Sequence, residues 1–514
     1  MINFVNPILL NNNGAHHFEM VEPNRIGGFP FRKANAEQRK KDFSEVQLSY
    51  SEEDVMREAE RCLLCGTPVC IDACPVLLDV RGMNEAAARG DFKTTYERIR
   101  ETNPLLGVTA RCCPQLQGLC EDACVLRWSG QPIAIGLIQR YISDWGKKHR
   151  QPSPSIEQDT GKKVAVIGSG PAGLAASSLL KRYGHEVTVY ETSNMPGGTA
   201  WYGVPDYHLP KGVLIDEIDE IKSMGVNIKT GVTIGKDITL SQLRDENIAI
   251  LITTGSRDTV KLDIPGVDLK GIMSGYEFLE GVFMEGVDKY LLNPKYSLGN
   301  DIMVIGGGDT SLDCARTALR LTEGKGKVTV LCLQPETGLH VDPIMLEEAK
   351  EEGIMFRFLG QTKSFKGDGN GHVVAAVINN MQMGTADQSG KSHPQAIPGQ
   401  EFTIPCSTVL IAVGRGPNSF LQKTTGIKTG KRNAISITED YETSINGVFA
   451  AGDVTSGETL IVKAMEKGRE GAQRVHEYLM GLEASHVSFY EKYYTKLSYD
   501  RMLEGKNGTK TPPD

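Results

Sequence analysis

The chain has 514 residues, which is enough for about three domains of ordinary size. Its net charge is −8, and acidic and basic residues alternate along the sequence, so we expect neither nucleic acid nor an anionic membrane as a partner. Hydrophobic residues make up 40% of the chain, and no run of about eighteen apolar residues occurs, which predicts that no segment spans a membrane. We expect a soluble, cytoplasmic protein.

Seven of the eleven cysteines fall in two short runs. The first run has the spacing C-x2-C-x4-C-x3-C-P, which resembles the bacterial ferredoxin pattern, where three thiolates hold one cubane cluster and the fourth reaches another. We therefore expect two 4Fe–4S clusters. The candidate ligands are Cys62, Cys65, Cys70 and Cys74 in the first run and Cys113, Cys120 and Cys124 in the second.

Zinc and disulfides are the alternatives for these cysteines. A disulfide framework is typical of short secreted chains, and neither a basic n-region nor a small-residue cleavage site follows Met1. A zinc site that opens with C-x2-C needs a second C-x2-C or an H-x3-H, and the spacings here provide neither. Iron–sulfur clusters remain the better interpretation, and they also suit a reducing compartment.

Helical periodicity dominates the N-terminal part of the sequence. Ser51-Glu-Glu-Asp54 offers a helix cap, and apolar residues recur at helical spacing through Cys62, from Val80 to Ile99 and from Ile133 to Trp145. Gln151-Pro-Ser-Pro154 indicates a linker. Residues 1–150 are therefore predicted to form a helical domain that the clusters hold together.

A dinucleotide-binding unit follows the linker. Lys163–Ile167 predicts a buried strand, and the glycine turn Gly168, Gly170, Gly173 leads into a helix and a second strand that ends at Glu191. This is the Rossmann order, in which the glycines allow the backbone to approach a pyrophosphate and the acid accepts a hydrogen bond from a ribose hydroxyl.

The same order of strand, glycine turn, helix and strand occurs a second time, about 140 positions later. The strand Ile302–Ile305 leads into Gly306, Gly308 and Asp309, then a helix and the strand Lys327–Leu331. Short β segments that end in glycine follow at 251–255 and 410–414, and another precedes Gly452 and Asp453. Two dinucleotides are expected, one for each glycine turn.

Together these features resemble the glutamate synthase small-subunit family, which includes the large subunit of NADH-dependent reduced-ferredoxin:NADP oxidoreductase and the amino-terminal half of dihydropyrimidine dehydrogenase. The resemblance covers about residues 42–479. It is carried by the cysteine and glycine motifs and by short motifs in the same order: Asp42-Phe-Ser-Glu-Val46, Thr102-Asn-Pro104, Val204-Pro205, Leu209-Pro210 and Val448-Phe-Ala-Ala-Gly-Asp453.

The resemblance implies an α-helical iron–sulfur domain followed by two Rossmann-like α/β dinucleotide-binding domains in a glutathione-reductase-like arrangement. The expected domains are 1–150 for the clusters, 160–295 with 440–482 for FAD, 296–439 for NAD(P) and a C-terminal tail at 483–514. Among the residues implied to contact FAD are Gly197 and Gly198 as a second pyrophosphate-side turn, and Asp453 near the ribityl chain or phosphates at a helix amino terminus.

For the clusters, the resemblance assigns one set of ligands to Cys62, Cys65, Cys70 and Cys124, and the other to Cys74, Cys113 and Cys120. The eighth ligand would be Gln139, seven residues after Pro132, as in dihydropyrimidine dehydrogenase. The spare thiol Cys112 is the alternative, because clusters generally prefer thiolates. Six residues separate Cys113 from Cys120, where relatives have fewer, so a loop insertion is expected.

The nucleotide preference is predicted from the residues that follow the strand Lys327–Leu331, the second strand of the second dinucleotide-binding motif. NADP-using relatives carry an arginine pair there, whereas this chain has Leu333 and Gln334. The loss of a guanidinium partner for a 2′-phosphate favours NAD(H) over NADP(H). An acid that would recognise the 2′-hydroxyl is also missing, so both nucleotides stay open.

The expected reaction is hydride exchange between NAD(P)H and FAD, followed by single-electron steps through the clusters to or from a partner subunit or a ferredoxin. Hydride transfer needs no acid or base, so no catalytic residue is predicted. Thioredoxin-reductase-like chemistry would need a C-x-x-C beside the flavin, and the cysteines outside the cluster region, Cys314, Cys332 and Cys406, are too scattered for one. A non-catalytic electron-wiring or assembly subunit is the other alternative.

Overall fold

The computed structural model describes residues 32–287, 290, 298–385 and 392–483. The chain divides into two compact units. The first contains the described parts of 1–153, 197–219 and 257–416, and the second those of 154–196, 220–256 and 417–483. The expected tail, 483–514, lies outside the described residues except for its first residue. None of the described helices is both long and apolar enough to cross a membrane.

The N-terminal part of the first unit is helical, apart from the antiparallel pair β1 (Arg32–Lys33) and β2 (Gln47–Leu48). Side-chain caps start several of the helices. Ser51 and Asp54 form a capping box at α2, and Asp79 and Asp91 cap α4 and α5. The helices are α1 (Ala36–Arg39), α2 (Glu52–Glu60), α3 (Val69–Asp72), α4 (Val80–Ala88), α5 (Phe92–Thr102), α6 (Leu106–Cys112) and α7 (Ile135–Lys148), with a 3-10 turn at Val125–Ser129.

Two helical predictions differ in their bounds from the structure. Helix α2 ends at Glu60, so Cys62 lies in the following loop rather than on the helix. The segment from Val80 to Ile99 forms two helices, because Gly90 adopts a left-handed conformation with φ 70° between them. The loop after α2 therefore carries both Cys62 and Cys65.

The second unit contains a parallel sheet of five strands in the order β17-β6-β3-β4-β5. Its strands are β3 (Lys163–Ile167), β4 (Glu186–Tyr190), β5 (Asn227–Lys229), β6 (Ala249–Ile252) and β17 (Val448–Ala450). Its helices are α8 (Pro171–Arg182), α11 (Leu240–Glu246), α15 (Phe420–Thr425), α16 (Asp453–Ser456) and α17 (Ile461–Met480). The central strands are buried along almost their whole length, as expected for a parallel sheet covered on both faces.

The first unit holds another parallel sheet of five strands, in the order β11-β10-β9-β15-β8. Its strands are β8 (Ile272–Ser274), β9 (Asp301–Ile305), β10 (Lys327–Leu331), β11 (Met355–Arg357) and β15 (Thr408–Ile411). Helices of the same unit are α9 (Thr199–Tyr202), α12 (Gly275–Glu285), α13 (Asp309–Leu321) and α14 (Pro343–Glu351). An antiparallel sheet of β12 (Gly360–Gly367), β13 (Val373–Met383) and β14 (Pro394–Pro405) contributes to the core on one face. The remaining elements are β7 (Ser256–Thr259), β16 (Arg415–Pro417) and α10 (Lys211–Ser223).

The compact units do not coincide with the domain ranges expected from the sequence. Strand β8 and helix α12 fall within 160–295, the expected FAD range, but they belong to the sheet and core that contain β9. Helix α15 falls within 296–439, the expected NAD(P) range, but it packs in the core of the second unit. Strand pairing over long sequence distances decides these memberships, and local sequence patterns do not report it.

A network of buried charges lies beside α13 and α14. Glu352 accepts hydrogen bonds from Arg39 Nε (2.9 Å), Arg316 Nη2 (2.7 Å) and Arg320 Nη1 (2.8 Å), and all four side chains are almost fully buried. Although burial alone would raise the pKa of Glu352, the neighbouring guanidinium groups, with Arg316 foremost, lower this pKa to about 2. The network therefore stays ionised throughout the physiological pH range.

We expect Glu352→Gln to lower the free energy of unfolding by about 3–5 kcal/mol, because three buried guanidinium groups lose their shared counter-charge. Thermal melting and urea unfolding measure the change. Glu323→Gln is the matched control, since its pairing with Lys325 is largely exposed and should be almost neutral. Similar losses in both variants would contradict the role given to the buried network.

Candidate functional site

Four predicted cluster ligands line one pocket in the helical part of the first unit: Cys62, Cys65, Cys70 and Cys124. The other walls are mainly apolar and include Leu63, Pro68, Val69, Val80, Val125 and Ile133. Burial, followed by the charges of the nearby Cys124 and Cys62, raises the pKa of the Cys70 thiol to about 12. Four thiolates could share this pocket only with a compensating cation, which iron ions provide because they hold coordinated thiols in the deprotonated form. The residues therefore fit a cluster.

The remaining three cysteine ligands form a second set. Burial raises the pKa of Cys113 and of Cys120 well above the usual range, and the charge of Cys74 is the next largest contribution for both. Cys112 is in different surroundings. Burial raises its pKa to about 12, and the strongest charged influences on it come from Asp313 and Lys211.

The spacing of these side chains does not suit a single ion. Among the described residues, no three Cys, His, Asp or Glu side chains converge closely enough to hold one metal ion. A zinc ion needs its sulfur ligands about 2.3 Å from one point. A cubane keeps its four protein ligands farther apart, since each binds a different corner of the cluster.

Helix α7 is fixed at its start by two buried carboxyl groups from the cysteine segments. The backbone N–H of Gly136 donates to Glu121 Oε1 (2.8 Å), and the N–H of Ala134 donates to Glu58 Oε1 (2.9 Å). Burial raises the pKa of Glu121 to about 8, so its carboxyl group is largely neutral at pH 7, and both acidic side chains accept from N–H groups that have no partner within the helix. Gln139 lies one turn farther along α7 and is 6% exposed. The two carboxyl groups thus position the helix that carries the predicted eighth ligand.

The first glycine turn, in the second unit, is closely packed by backbone. Gly168 has φ 103°, and a Cβ on it would lie 2.6 Å from the carbonyl oxygen of Thr253. A Cβ on Gly173 would collide with the carbonyl oxygen of Gly168. Gly170 is the N-cap of α8, so the helix amino terminus opens directly onto the turn. This geometry fits a pyrophosphate at the amino terminus of α8.

Glu191 faces the same turn from the end of β4. Its Oε2 accepts hydrogen bonds from the backbone N–H (3.0 Å) and the hydroxyl (2.6 Å) of Ser169. Its Oε1 accepts one from the N–H of Ser193 (2.8 Å). The carboxylate is therefore held in place, and Oε1, which accepts only one of these hydrogen bonds, keeps lone-pair capacity for a ribose hydroxyl.

Gly452, with φ 78°, is the N-cap of α16, and Asp453 is the first residue of that helix. The cap position thus belongs to the glycine, and Asp453 Oδ1 accepts a hydrogen bond from the Thr459 hydroxyl (2.6 Å). In the first unit, Gly197 and Gly198 both have positive φ, and Gly198 is the N-cap of α9. Each pair forms a glycine-dependent turn, as the sequence predicts.

The second glycine turn, in the first unit, connects β9 to α13. Gly308 is the N-cap of α13, and nothing lies within 4 Å of a Cβ built on it. Asp309 is turned away from this space, because its Oδ1 accepts the backbone N–H of Asp342 (2.8 Å) and burial raises its pKa. Gly308 therefore leaves open room at a helix amino terminus, while Asp309 is tied to the neighbouring loop.

The segment after β10 closes one side of this turn. A Cβ on Gly307 would lie 3.2 Å from Gln334 Oε1, so the neutral amide of Gln334 borders the glycine turn. Leu333 is 36% exposed beside it. Arg357 ends the neighbouring strand β11 and is paired in register with Leu331.

Two arginines that the sequence analysis missed lie in the first unit. The Arg415 guanidinium carbon is 4.7 Å from the Tyr276 ring centroid, and that of Arg257 is 5.1 Å from the Tyr202 ring. A signal was available, because an arginine follows the strand-ending glycine in both Gly255-Ser-Arg257 and Gly414-Arg415.

Comparisons with known proteins agree with this geometry. The family described as "Pyridine nucleotide-disulphide oxidoreductase" matches residues 162–468, and "Dihydropyrimidine dehydrogenase domain II, 4Fe-4S cluster" matches residues 39–151. The glutamate synthase (NADPH) small chain of Azospirillum brasilense is 33% identical over 87% of this chain and 93% of that protein. The Bacillus subtilis protein of the same name is 34% identical over 86% and 94%.

Two further similarities are more distant. The NADP(+)-dependent formate dehydrogenase subunit beta of Moorella thermoacetica is 30% identical over 80% of this chain and 60% of that protein. The structure of FprA from Mycobacterium tuberculosis in complex with NADPH matches 62% of this chain and 85% of that one, with a TM-score of 0.52 and 18% identity, which supports the fold only.

A helical domain with a cysteine pocket, joined to two parallel sheets with glycine turns, defines a flavin-dependent pyridine nucleotide oxidoreductase with a 4Fe–4S domain. The chain belongs to the glutamate synthase small-chain family. The family resemblance, the enzyme class and the use of FAD, a pyridine nucleotide and 4Fe–4S chemistry are confirmed at this level.

We expect Gly173→Ala to reduce the FAD content of the purified protein to a small fraction of the wild-type value, because its methyl group would push apart the backbone of the first glycine turn. Flavin absorbance per chain measures this loss. Gly212→Ala is the control, since nothing lies within 4 Å of a Cβ at that position. Full FAD occupancy in Gly173→Ala would show that the turn does not hold the flavin.

Proposed function

We propose that this protein transfers electrons between a pyridine nucleotide and two 4Fe–4S clusters through FAD, and exchanges them with a partner subunit or a ferredoxin. The observation that carries the proposal is the grouping of four cysteines around one pocket, with three more cysteines whose charges influence one another, on a chain that also has two glycine turns at helix amino termini. When bound, a flavin supplies the exchange between two-electron hydride chemistry and single electrons.

The residues of the chain would bind, orient and shield these groups. The glycine turn at Gly168, Gly170 and Gly173 would accept the FAD pyrophosphate, with Glu191 on the ribose. Gly197, Gly198, Gly452 and Asp453 are proposed to complete the FAD site, and Gly306, Gly308 and Asp309 to contact the nicotinamide nucleotide. The two dinucleotide domains would adopt a glutathione-reductase-like arrangement. No side chain needs to act as an acid or base.

For the clusters, we assign Cys62, Cys65, Cys70 and Cys124 to one and Cys74, Cys113, Cys120 and Gln139 to the other. Asp313 and Lys211 are the main charged influences on Cys112, which in turn contributes to the raised pKa of Cys113, so the family resemblance is what favours Gln139 as the eighth ligand. Burial of Gln139 on the helix that Glu121 anchors agrees with this assignment.

The names of the relatives support a partner subunit for this protein. Those from Azospirillum and Bacillus are named small chains, and the Moorella protein is named a β subunit. The pocket of the first cluster includes Val69 and Val125, which are 39% and 40% exposed, so this cluster would lie near the surface. An electron could leave there for a partner, whose identity the proposal leaves open.

We expect about eight iron and eight acid-labile sulfide per chain after anaerobic purification, since seven thiolates and one further ligand complete two cubanes. Gln139→Ala should alter the EPR signal or occupancy of one cluster only, and Cys112→Ser should leave both unchanged. Four irons per chain, or stoichiometric zinc, would contradict the two-cluster proposal. Loss of one cluster in Cys112→Ser, with Gln139→Ala unaffected, would make Cys112 the ligand.

We propose that this protein does not share the preference for NADPH that the names of its relatives state. The two small chains are named for NADPH, yet neutral Leu333 and Gln334 occupy the end of β10 in this chain. A guanidinium fork is the side chain that matches phosphate geometry, and without it a 2′-phosphate gains little there. We therefore propose that NADH is used at least as well as NADPH.

We expect NADH to reduce the bound flavin with a kcat/KM at least equal to that of NADPH in anaerobic stopped-flow measurements. Leu333→Arg combined with Gln334→Arg should shift the ratio toward NADPH by roughly tenfold or more, which is the effect of one or two charge-assisted hydrogen bonds. A strong preference of the wild type for NADPH would contradict the proposal, and Arg357→Gln would then test whether Arg357 holds the phosphate. If neither nucleotide bleaches the flavin, the electron-wiring subunit becomes the better description.

A further inference from the structure

Two polar side chains, Arg81 and Asn84, line the pocket of the first proposed cluster (the first-cluster pocket). Apart from its four cysteines, every other residue that lines this pocket is apolar. Both side chains come from helix α4, and residues three positions apart lie on the same face of a helix. One face of α4 therefore supplies both polar groups that the cysteines meet in this pocket.

The side-chain amide of Asn84 is buried beside the thiols. Asn84 is 0% exposed, and neither its Oδ1 nor its Nδ2 makes a hydrogen bond of ordinary geometry within the part of the chain that the structure describes. Such a buried amide is costly, and native proteins rarely keep one without a reason. Burial raises the pKa of the Cys62 thiol, and the Asn84 side chain is one of the groups that oppose this rise. The amide therefore lies close to a sulfur atom that is negatively charged when it binds iron.

Arg81 brings a positive charge to the same pocket. In the described part of the chain its one hydrogen bond is a long one, from Nη1 to the carbonyl oxygen of Cys65 (3.5 Å), and it takes part in no ion pair there. The acidic residue nearest to it in sequence, Asp79, pairs with Arg98 (3.1 Å) and caps α4. The guanidinium group is thus held at the backbone of a cluster ligand.

An amide N–H and a guanidinium N–H can only donate to thiolate or sulfide, which accept. A cluster gains one negative charge when it takes up an electron, so nearby donors and positive charge stabilise its reduced form more than its oxidised form. Net charge and hydrogen bonds to the sulfurs are among the factors that set the potential of such a cluster. The two polar residues of the pocket are of the kinds that raise it.

We propose that Asn84, by donating to sulfur, and Arg81, by its charge, raise the reduction potential of the cluster in the first-cluster pocket. The inference rests on the proposed function, which places a 4Fe–4S cluster there. Arg81 and Asn84 are positioning residues for the electron rather than ligands. They would favour its presence at the cluster near the surface, where the proposed partner would exchange it.

The test compares wild type with Asn84→Leu, Arg81→Gln and Arg81→Lys, each as full-length protein purified anaerobically. Redox titration followed by EPR gives the midpoint potentials of both clusters, and Cys65→Ser identifies the signal of the first. Asn84→Leu keeps a similar shape without a donor. We expect it to lower the equilibrium constant for reduction of the first cluster by roughly tenfold, which is about 59 mV for one electron. Arg81→Gln should shift the potential in the same direction, and Arg81→Lys, which keeps the charge, should restore most of it.

The potentials of the second cluster and of the flavin should stay unchanged in all of these variants. Arg89→Gln is the matched control, since Arg89 lies at the end of the same helix in an exposed pair with Glu85 and should leave both cluster potentials unchanged.

An unchanged potential of the first cluster in Asn84→Leu and Arg81→Gln would overturn the inference, as would equal shifts of both clusters, which would indicate a general change of structure. A shift in only one variant would overturn the role of the other residue. If Asn84→Leu loses iron, the Arg81 variants decide, and an unshifted Arg81→Gln then overturns the inference. If Cys65→Ser changes neither the iron content nor any EPR signal, the proposed function itself fails, which is distinct from these results.

Discussion

Glu352 and the three arginines around it join parts of the chain that are far apart in sequence. Arg39 precedes the cysteine motifs, and Arg316 and Arg320 lie on the helix after the second glycine turn. Buried charges tolerate little displacement, because separation from their partners leaves a desolvated ion uncompensated. The network therefore fixes the segment that contains Arg39 against helices α13 and α14 of the first unit. The position of the chain just before the cysteine motifs depends on this constraint.

In the cysteine domain, two buried acidic side chains join separate segments of the chain. Glu58 lies near the end of α2 and Glu121 follows Cys120, and both side chains accept hydrogen bonds from backbone N–H groups at the start of α7. The loops that carry the thiols are thereby tied to one helix. Position, rather than acid–base chemistry, is what a chain of this class must supply, since its cofactors carry the reaction. Both buried networks of the first unit serve that requirement.

Local signals predicted a large part of this structure. The capping box at Ser51, both glycine turns and the strands around them occur where the sequence places them. Four cysteines that are 62 residues apart at their extremes share a pocket, and the family resemblance had grouped the same four. The end of α2 before Cys62 and the pairing of β8 with β15 were not predicted, because tertiary contacts decide them. The arginines at 257 and 415 were missed although each follows a strand-ending glycine, and only the folded structure shows that both contact Tyr276.

The two glycine turns differ in what surrounds them. A side chain at Gly168 or Gly173 would displace backbone, whereas a side chain at Gly308 would enter open space. A substitution at Gly168 or Gly173 therefore disturbs the backbone of the first turn. In the second turn only Gly308 has this freedom, because a side chain at Gly306 would meet the carbonyl oxygen of Ala412. Position 308 can therefore change over evolutionary time without rearrangement of the backbone, whereas positions 168, 173 and 306 cannot.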